Sequence, residues 1–259
     1  MKKKLIMLMV CTAMMIAFAG CGGSGNGEPE NRTEAAENGG QLAGGWMVYA
    51  DGDAAVLPDE VQTAFDKATE KLTGSEFVPL AYISRQITEG LNYQILCRAT
   101  EVTADPVPTL QVLVIGQDPE DSVDVLNIAD FDISRYTDSD GADIGNARLD
   151  GGWEVPEDYT KGELPEEVKA VYEKAIQQVG GSTFTPMAYL GSQVVAGTNY
   201  VVLVEGELAS DDPVSNIQVV TIYEDLEGNV ELTNICTLDP AEFNPRLSIR
   251  TGSLRRWPN

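Results

Sequence analysis

A chain of 259 residues with 43% hydrophobic content can bury one large core or two small ones, and it is not a disordered protein. Its formal charge of −24 disfavours nucleic acid and anionic membrane surfaces as partners. The absence of histidine excludes nucleophiles activated through imidazole and removes the commonest zinc ligand.

Residues 1–20 have the layout of a secretory signal: Lys2, Lys3 and Lys4, an apolar run from Leu5 to Ala19, then small residues. The run is too short to span a bilayer stably. Losing it takes away three lysines and no acids, so the charge falls to −27. Phe18-Ala19-Gly20-Cys21 resembles the lipobox of bacterial lipoproteins. The resemblance implies that Cys21 is lipidated, becomes the first residue, and anchors an extracytoplasmic protein to the bacterial cell membrane. An ordinary secretory signal that happens to end near a cysteine is the alternative. Residues 21–43 are rich in Gly, Glu and Asn and form a flexible tether.

Shifted by 107 residues, the remaining chain aligns with itself without a gap. Gly44-Gly45-Trp46 falls on Gly151-Gly152-Trp153, and Gln86, Gly90, Asn92 and Tyr93 fall on Gln193, Gly197, Asn199 and Tyr200. Asn127-Ile128 still matches Asn234-Ile235. The predicted organisation is a first repeat over 44–136, a linker over 137–150, a second repeat over 151–243 and a basic tail over 244–259. The tail carries Arg246, Arg250, Arg255 and Arg256.

Each repeat begins with a short strand after Gly-Gly-Trp, whose tryptophan is expected to anchor it against the helix. A helix follows in each. Leu57, Val61, Ala64, Phe65, Ala68 and Leu72 share one face at a 3.6-residue period, as do Leu164, Val168, Val171, Tyr172, Ala175 and Val179. Four strand patterns come next, in the second repeat FTPMAYLGSQ, TNYVVLVEGEL, NIQVVTIYEDL and VELTNICTL, rich in β-branched and aromatic residues and only partly alternating. Val194 to Gly197 turns the first hairpin and Glu227-Gly228-Asn229 the last. The predicted class is α+β, two tandem domains, each with one helix packed on a four- to five-stranded antiparallel sheet.

This element order, with Gln193-Val194-Val195-Ala196-Gly197 at the first hairpin of the sheet, resembles the cystatins, inhibitors of papain-like cysteine peptidases. The resemblance implies a peptidase-binding wedge. Gly151 and Gly152 match its N-terminal glycine segment, and Gln193, Val195 and Gly197 match its QxVxG loop, with Val194 and Ala196 between them. The pattern is broken in two places. The last hairpin, Glu224 to Asn229, is acidic and lacks the usual Pro-Trp, and the first repeat carries Gln86-Ile87-Thr88-Glu89-Gly90, with a charge that would be costly to desolvate. On this resemblance, a bulky β-branched residue at Gly197 should abolish inhibition while leaving the fold mostly intact.

Two functions therefore fit the sequence: an extracytoplasmic lipoprotein that inhibits papain-like peptidases, or a non-catalytic binding or scaffolding module of the cell envelope that takes an extended segment on a strand edge. No enzyme, metal or cofactor is expected, because the acids are dispersed and no nucleotide-binding motif occurs. Cys97 and Cys236, at non-equivalent positions, are expected to be buried and free.

Overall fold

The computed structural model describes residues 45–48, 55–137, 152–157, 163–208 and 214–244. The signal segment, Cys21, the tether, Gly151, linker residues 138–150 and the arginine-rich tail beyond Asn244 lie outside the described residues. The chain divides into two units, 1–40 and 41–259, and all described residues belong to the second.

The helices lie where the 3.6-residue spacing puts them. α1 spans Asp59–Thr69 and α2 spans Glu166–Ile176. Each is preceded by a proline, Pro58 or Pro165, and carries two acids in its first turn and a lysine in its last, in keeping with the helix dipole. Val61, Ala64, Phe65 and Ala68 are buried on α1, and Val168, Val171, Tyr172 and Ala175 on α2.

Strand dominates the rest. One antiparallel sheet has the order β1 (Trp46–Val48), β2 (Ser75–Ile87), β3 (Leu91–Glu101), β4 (Pro108–Gln117), β5 (Val123–Asp130). The other has β6 (Ser182–Val194), β7 (Gly197–Leu208), β8 (Ser215–Asp225), β9 (Val230–Thr237). β2 and β6 shift register at equivalent places, between Pro79 and Ala81 and between Pro186 and Ala188. The strand expected after Gly152-Trp153 is reduced to a single bridge, Glu154 with Ser192. Pro156 follows it and has no N–H to continue a ladder, whereas its counterpart in the first repeat is Tyr49.

The two sheets pack face to face, and this overturns the expectation of two tandem helix-on-sheet domains. Leu80, Leu96 and Val112 from the first sheet and Met187, Leu203 and Val219 from the second belong to one buried cluster. The helices cover the opposite faces: α1 packs with Ile95, Cys97, Leu113 and Ile115, and α2 with Val202, Val204, Val220 and Ile222. The result is a helix–sheet–sheet–helix stack in which the central contact belongs to neither repeat alone. A lone helix-on-sheet domain would leave its second sheet face wet. Here that face is apolar, and burying each such aliphatic side chain contributes about 2 kcal/mol.

The repeats also exchange hydrogen bonds reciprocally. A 3-10 turn, Ile133–Tyr136, follows β5, and its counterpart Pro240–Phe243 follows β9. Asn127 Nδ2 on β5 donates to the Phe243 carbonyl at 3.0 Å, and Asn234 Nδ2 on β9 donates to the Tyr136 carbonyl at 2.8 Å. These are the same bond under the repeat offset, made once in each direction across the junction. Arg135 pairs with Glu242 at 3.1 Å beside them.

Trp46 and Trp153, expected to brace their strands against the helices, instead pack on the inter-sheet cluster, and Trp46 Nε1 donates to the Asn244 side chain. Cys97 and Cys236 are both free. Burial pushes the Cys97 thiol far up and keeps it neutral, while Cys236 is only partly buried, because β9 lies at a sheet edge. Among the described residues, no helix is long and apolar enough to cross a membrane.

Candidate functional site at the loop end of the second repeat

β6 and β7 meet in a tight hairpin. Val194 pairs with Thr198, and Val195 N–H donates to the Gly197 carbonyl at 2.9 Å, closing the turn over Ala196. Val194 is 66% and Val195 47% exposed, so two β-branched apolar side chains project from a fixed turn. Gly197 is buried, with φ at 155°. A Cβ there would overlap the Glu224 carbonyl and come within 2.8 Å of the Tyr223 ring. Tyr223 completes the clamp, its hydroxyl donating to the Ala196 carbonyl at 2.9 Å.

Gln193 is held within the sheet. It faces Asn199, whose Nδ2 donates to Gln193 Oε1 at 3.0 Å. Asn92 makes the same bond to Gln86 at 2.8 Å in the first repeat. The recurrence of Gln and Asn in both repeats therefore follows from a cross-strand pair that locks the base of each hairpin.

The register carries two further segments to the same end. The Glu154 with Ser192 bridge, with both backbone bonds made at 2.8 and 3.1 Å, sets Gly152 beside the start of the Val194 turn. Gly197 pairs with Asp225, which opens the β8–β9 turn. Asp225 Oδ1 accepts from Glu227 N–H and Asn229 N–H, both at 2.9 Å, and Oδ2 accepts from Asn229 Nδ2 at 2.7 Å. Gly228 takes φ 80° at the corner, and Leu226 stands 83% exposed at the tip. Gly152, the Val194–Gly197 turn and Leu226 thus share one end of one sheet. Gly151 lies outside the described residues.

The chain matches no protein-family model and no curated protein.

Leu226, Asp225 and Tyr223 are the members of this site that the sequence did not mark. The acidic hairpin read as the loss of an apolar element. An aspartate three residues before a glycine and four before an asparagine is nonetheless the signal of a side-chain-closed turn, which leaves the residue after the aspartate pointing outward. The first repeat builds the same end with Ile87, Thr88 and Glu89 in one turn and Pro119 and Glu120 in the other, so Thr88 and Glu89 stand where the second repeat has Val195 and Ala196, and Pro119 where it has Leu226.

The Asn229 side chain and the backbone N–H groups of Asn229 and Glu227 hold the Asp225 carboxyl below the usual aspartate range. A depressed carboxylate pKa contributes stability that is present above the unfolded value and lost as pH falls through the folded one. The turn is thus expected to stay closed at neutral pH and to loosen only in strong acid. An NMR titration of Asp225 should show a midpoint below that of an ordinary aspartate, and Asn229→Ala should move it upward. An unshifted midpoint in the parent chain would mean that Asp225 does not close the turn.

Among the described residues, no group of three or more His, Cys, Asp or Glu is placed to hold a metal ion. Two recesses among the described residues lie elsewhere, one of about 350 Å³ beside β5 and one of about 270 Å³ beside the β3–β4 loop. Tyr200, whose hydroxyl is 3.5 Å from Glu224 Oε2, has its pKa raised first by burial and then by that carboxylate, so it stays a neutral phenol.

Proposed function

We propose that the loop end of the second repeat is a preorganised docking tip that enters and occludes the cleft of a papain-like cysteine peptidase, on a protein anchored outside the cell through Cys21. One observation carries this: exposed Val194, Val195 and Leu226 stand on adjacent turns closed by internal hydrogen bonds, with Gly152 alongside. A rigid edge loses little conformational entropy on docking, and the Val194 and Val195 side chains can fill a narrow cleft without carrying a charge into it, while Glu227 beside Leu226 stays at the rim. Occlusion requires no chemistry from the chain, in keeping with a non-enzymatic role. Leu226 stands in for the aromatic residue that the cystatin pattern would place on the second hairpin.

The test is titration of papain and of a bacterial papain-like peptidase with the chain lacking residues 1–21. Inhibition directed at the active site is expected. Val195→Asp and Leu226→Asp should each weaken it by about 2 kcal/mol, roughly thirty-fold, with an unchanged melting temperature, because both side chains project into solvent. No inhibition at high micromolar concentration would sink the inhibitor assignment.

The envelope binding module is the second reading, and a specific observation favours it. The Gln-Asn pair at the hairpin base recurs in a first repeat whose turn carries Thr88 and Glu89 in place of Val195 and Ala196, so Gln193 itself is no mark of peptidase binding. Under this reading the same tip variants lose an envelope partner while peptidases are unaffected.

A further inference from the structure

The junction between the sheets is built from equivalent positions, as in an isologous dimer, yet at one spot the two repeats have diverged in opposite senses. In the first repeat the inner face carries Ser84 and Gln94, both fully buried. Ser84 Oγ donates to Gln94 Oε1 at 2.8 Å, and Gln94 Nε2 donates to the Pro240 carbonyl of the second repeat at 2.8 Å. At the equivalent positions the second repeat has Gly191 and Val201, and facing them is Ile133 of the first repeat, the counterpart of Pro240. A Cβ on Gly191 would meet the Glu154 carbonyl of its own repeat at 2.6 Å and the Ile133 Cδ1 of the other at 3.2 Å, so the isoleucine packs directly over a position that has no room for a side chain.

We propose that these six residues make each repeat accept the other and reject itself, so that the partner fitting an opened chain is the complementary repeat of a second copy of this chain. Pairing two first repeats would drive Ile133 onto Ser84, which presents a Cβ and hydroxyl where Ile133 now meets a bare glycine, an overpacked contact. Pairing two second repeats would set the Pro240 carbonyl against Val201, with its donor gone, and leave Gly191 uncovered by Ile133. Only the mixed pair matches shape and hydrogen bonding at both spots. Because the reciprocal Asn127 and Asn234 bonds also cross the junction, a pair formed between chains keeps every contact of the pair within one chain. A tethered repeat faces its own partner at millimolar effective concentration, so the closed monomer wins in dilute solution.

Two full-length variants test this. Leu203→Arg spoils the inner face of the second repeat, and Leu96→Arg that of the first; both leucines are fully buried in the shared core and turned away from the helices. The expected result is that neither variant self-associates, while their mixture forms a 1:1 complex with the mass of two chains by light scattering. Co-refolding the two variants from denaturant covers the case in which neither folds alone, and the complex must then still appear. Dimerisation of either variant by itself, or no complex in the co-refolded mixture, would overturn the proposal.

Discussion

Gly197→Val is expected to lower the stability of the whole molecule by about 3 kcal/mol, roughly 6–12 °C in melting temperature. The added side chain has nowhere to go: its Cβ alone overlaps the Glu224 carbonyl and crowds the ring and hydroxyl of Tyr223. The backbone at φ 155° adds strain for any L side chain. Gly197→Ala should move in the same direction by less. Thermal unfolding beside Val195→Asp is the check, since the latter changes the tip without touching β8. A Gly197→Val chain that melts with the parent would show that β7 does not lie against β8 as described. The expectation that this glycine could be replaced with the fold largely intact is therefore corrected, and lost inhibition in the valine variant would not separate a damaged tip from a damaged sheet. Val195 and Leu226 are the positions that do.

That correction illustrates what could be read in advance. A glycine ending a hairpin is visible in sequence because turn chemistry is local, as is the face of α1 from Val61 to Ala68. The closeness of Gly197 to Glu224 is not visible, because it depends on how β7 registers against β8, a pairing between distant segments. The same division holds for the architecture. The helices and strands were legible, but their assembly into one stack was not, although a trace of it was present. In β3 the run Tyr93 to Cys97, and in β7 the run Val201 to Val204, is buried at every residue. A strand with one wet face alternates; one covered on both faces does not. Partial alternation fits a sheet covered on one face by a helix, but the consecutive apolar residues within it call for a second layer. Asn127 and Asn234 carried a similar trace, since a polar residue recurring late in each repeat had no role within either one.

The shared core predicts that the repeats unfold together. Leu203→Ala should cost about 2–5 kcal/mol, the usual range for emptying a well-packed leucine site, although Leu203 belongs by sequence to the second repeat alone. Trp46 and Trp153 are natural reporters, each half-buried against the shared core from a different repeat. With Trp257 and one of these two replaced by Phe in turn, denaturant unfolding followed by the remaining tryptophan should give coincident transitions, and Leu203→Ala should shift both equally. Independent domains would behave otherwise: only the Trp153 transition would move, and the Trp46 transition would stay where it was. Coincidence is the expected outcome because separating the sheets exposes apolar faces on both and strands the carbonyls of Tyr136 and Phe243 without their asparagine donors. Neither repeat can shed its partner without losing a substantial part of its own stabilisation.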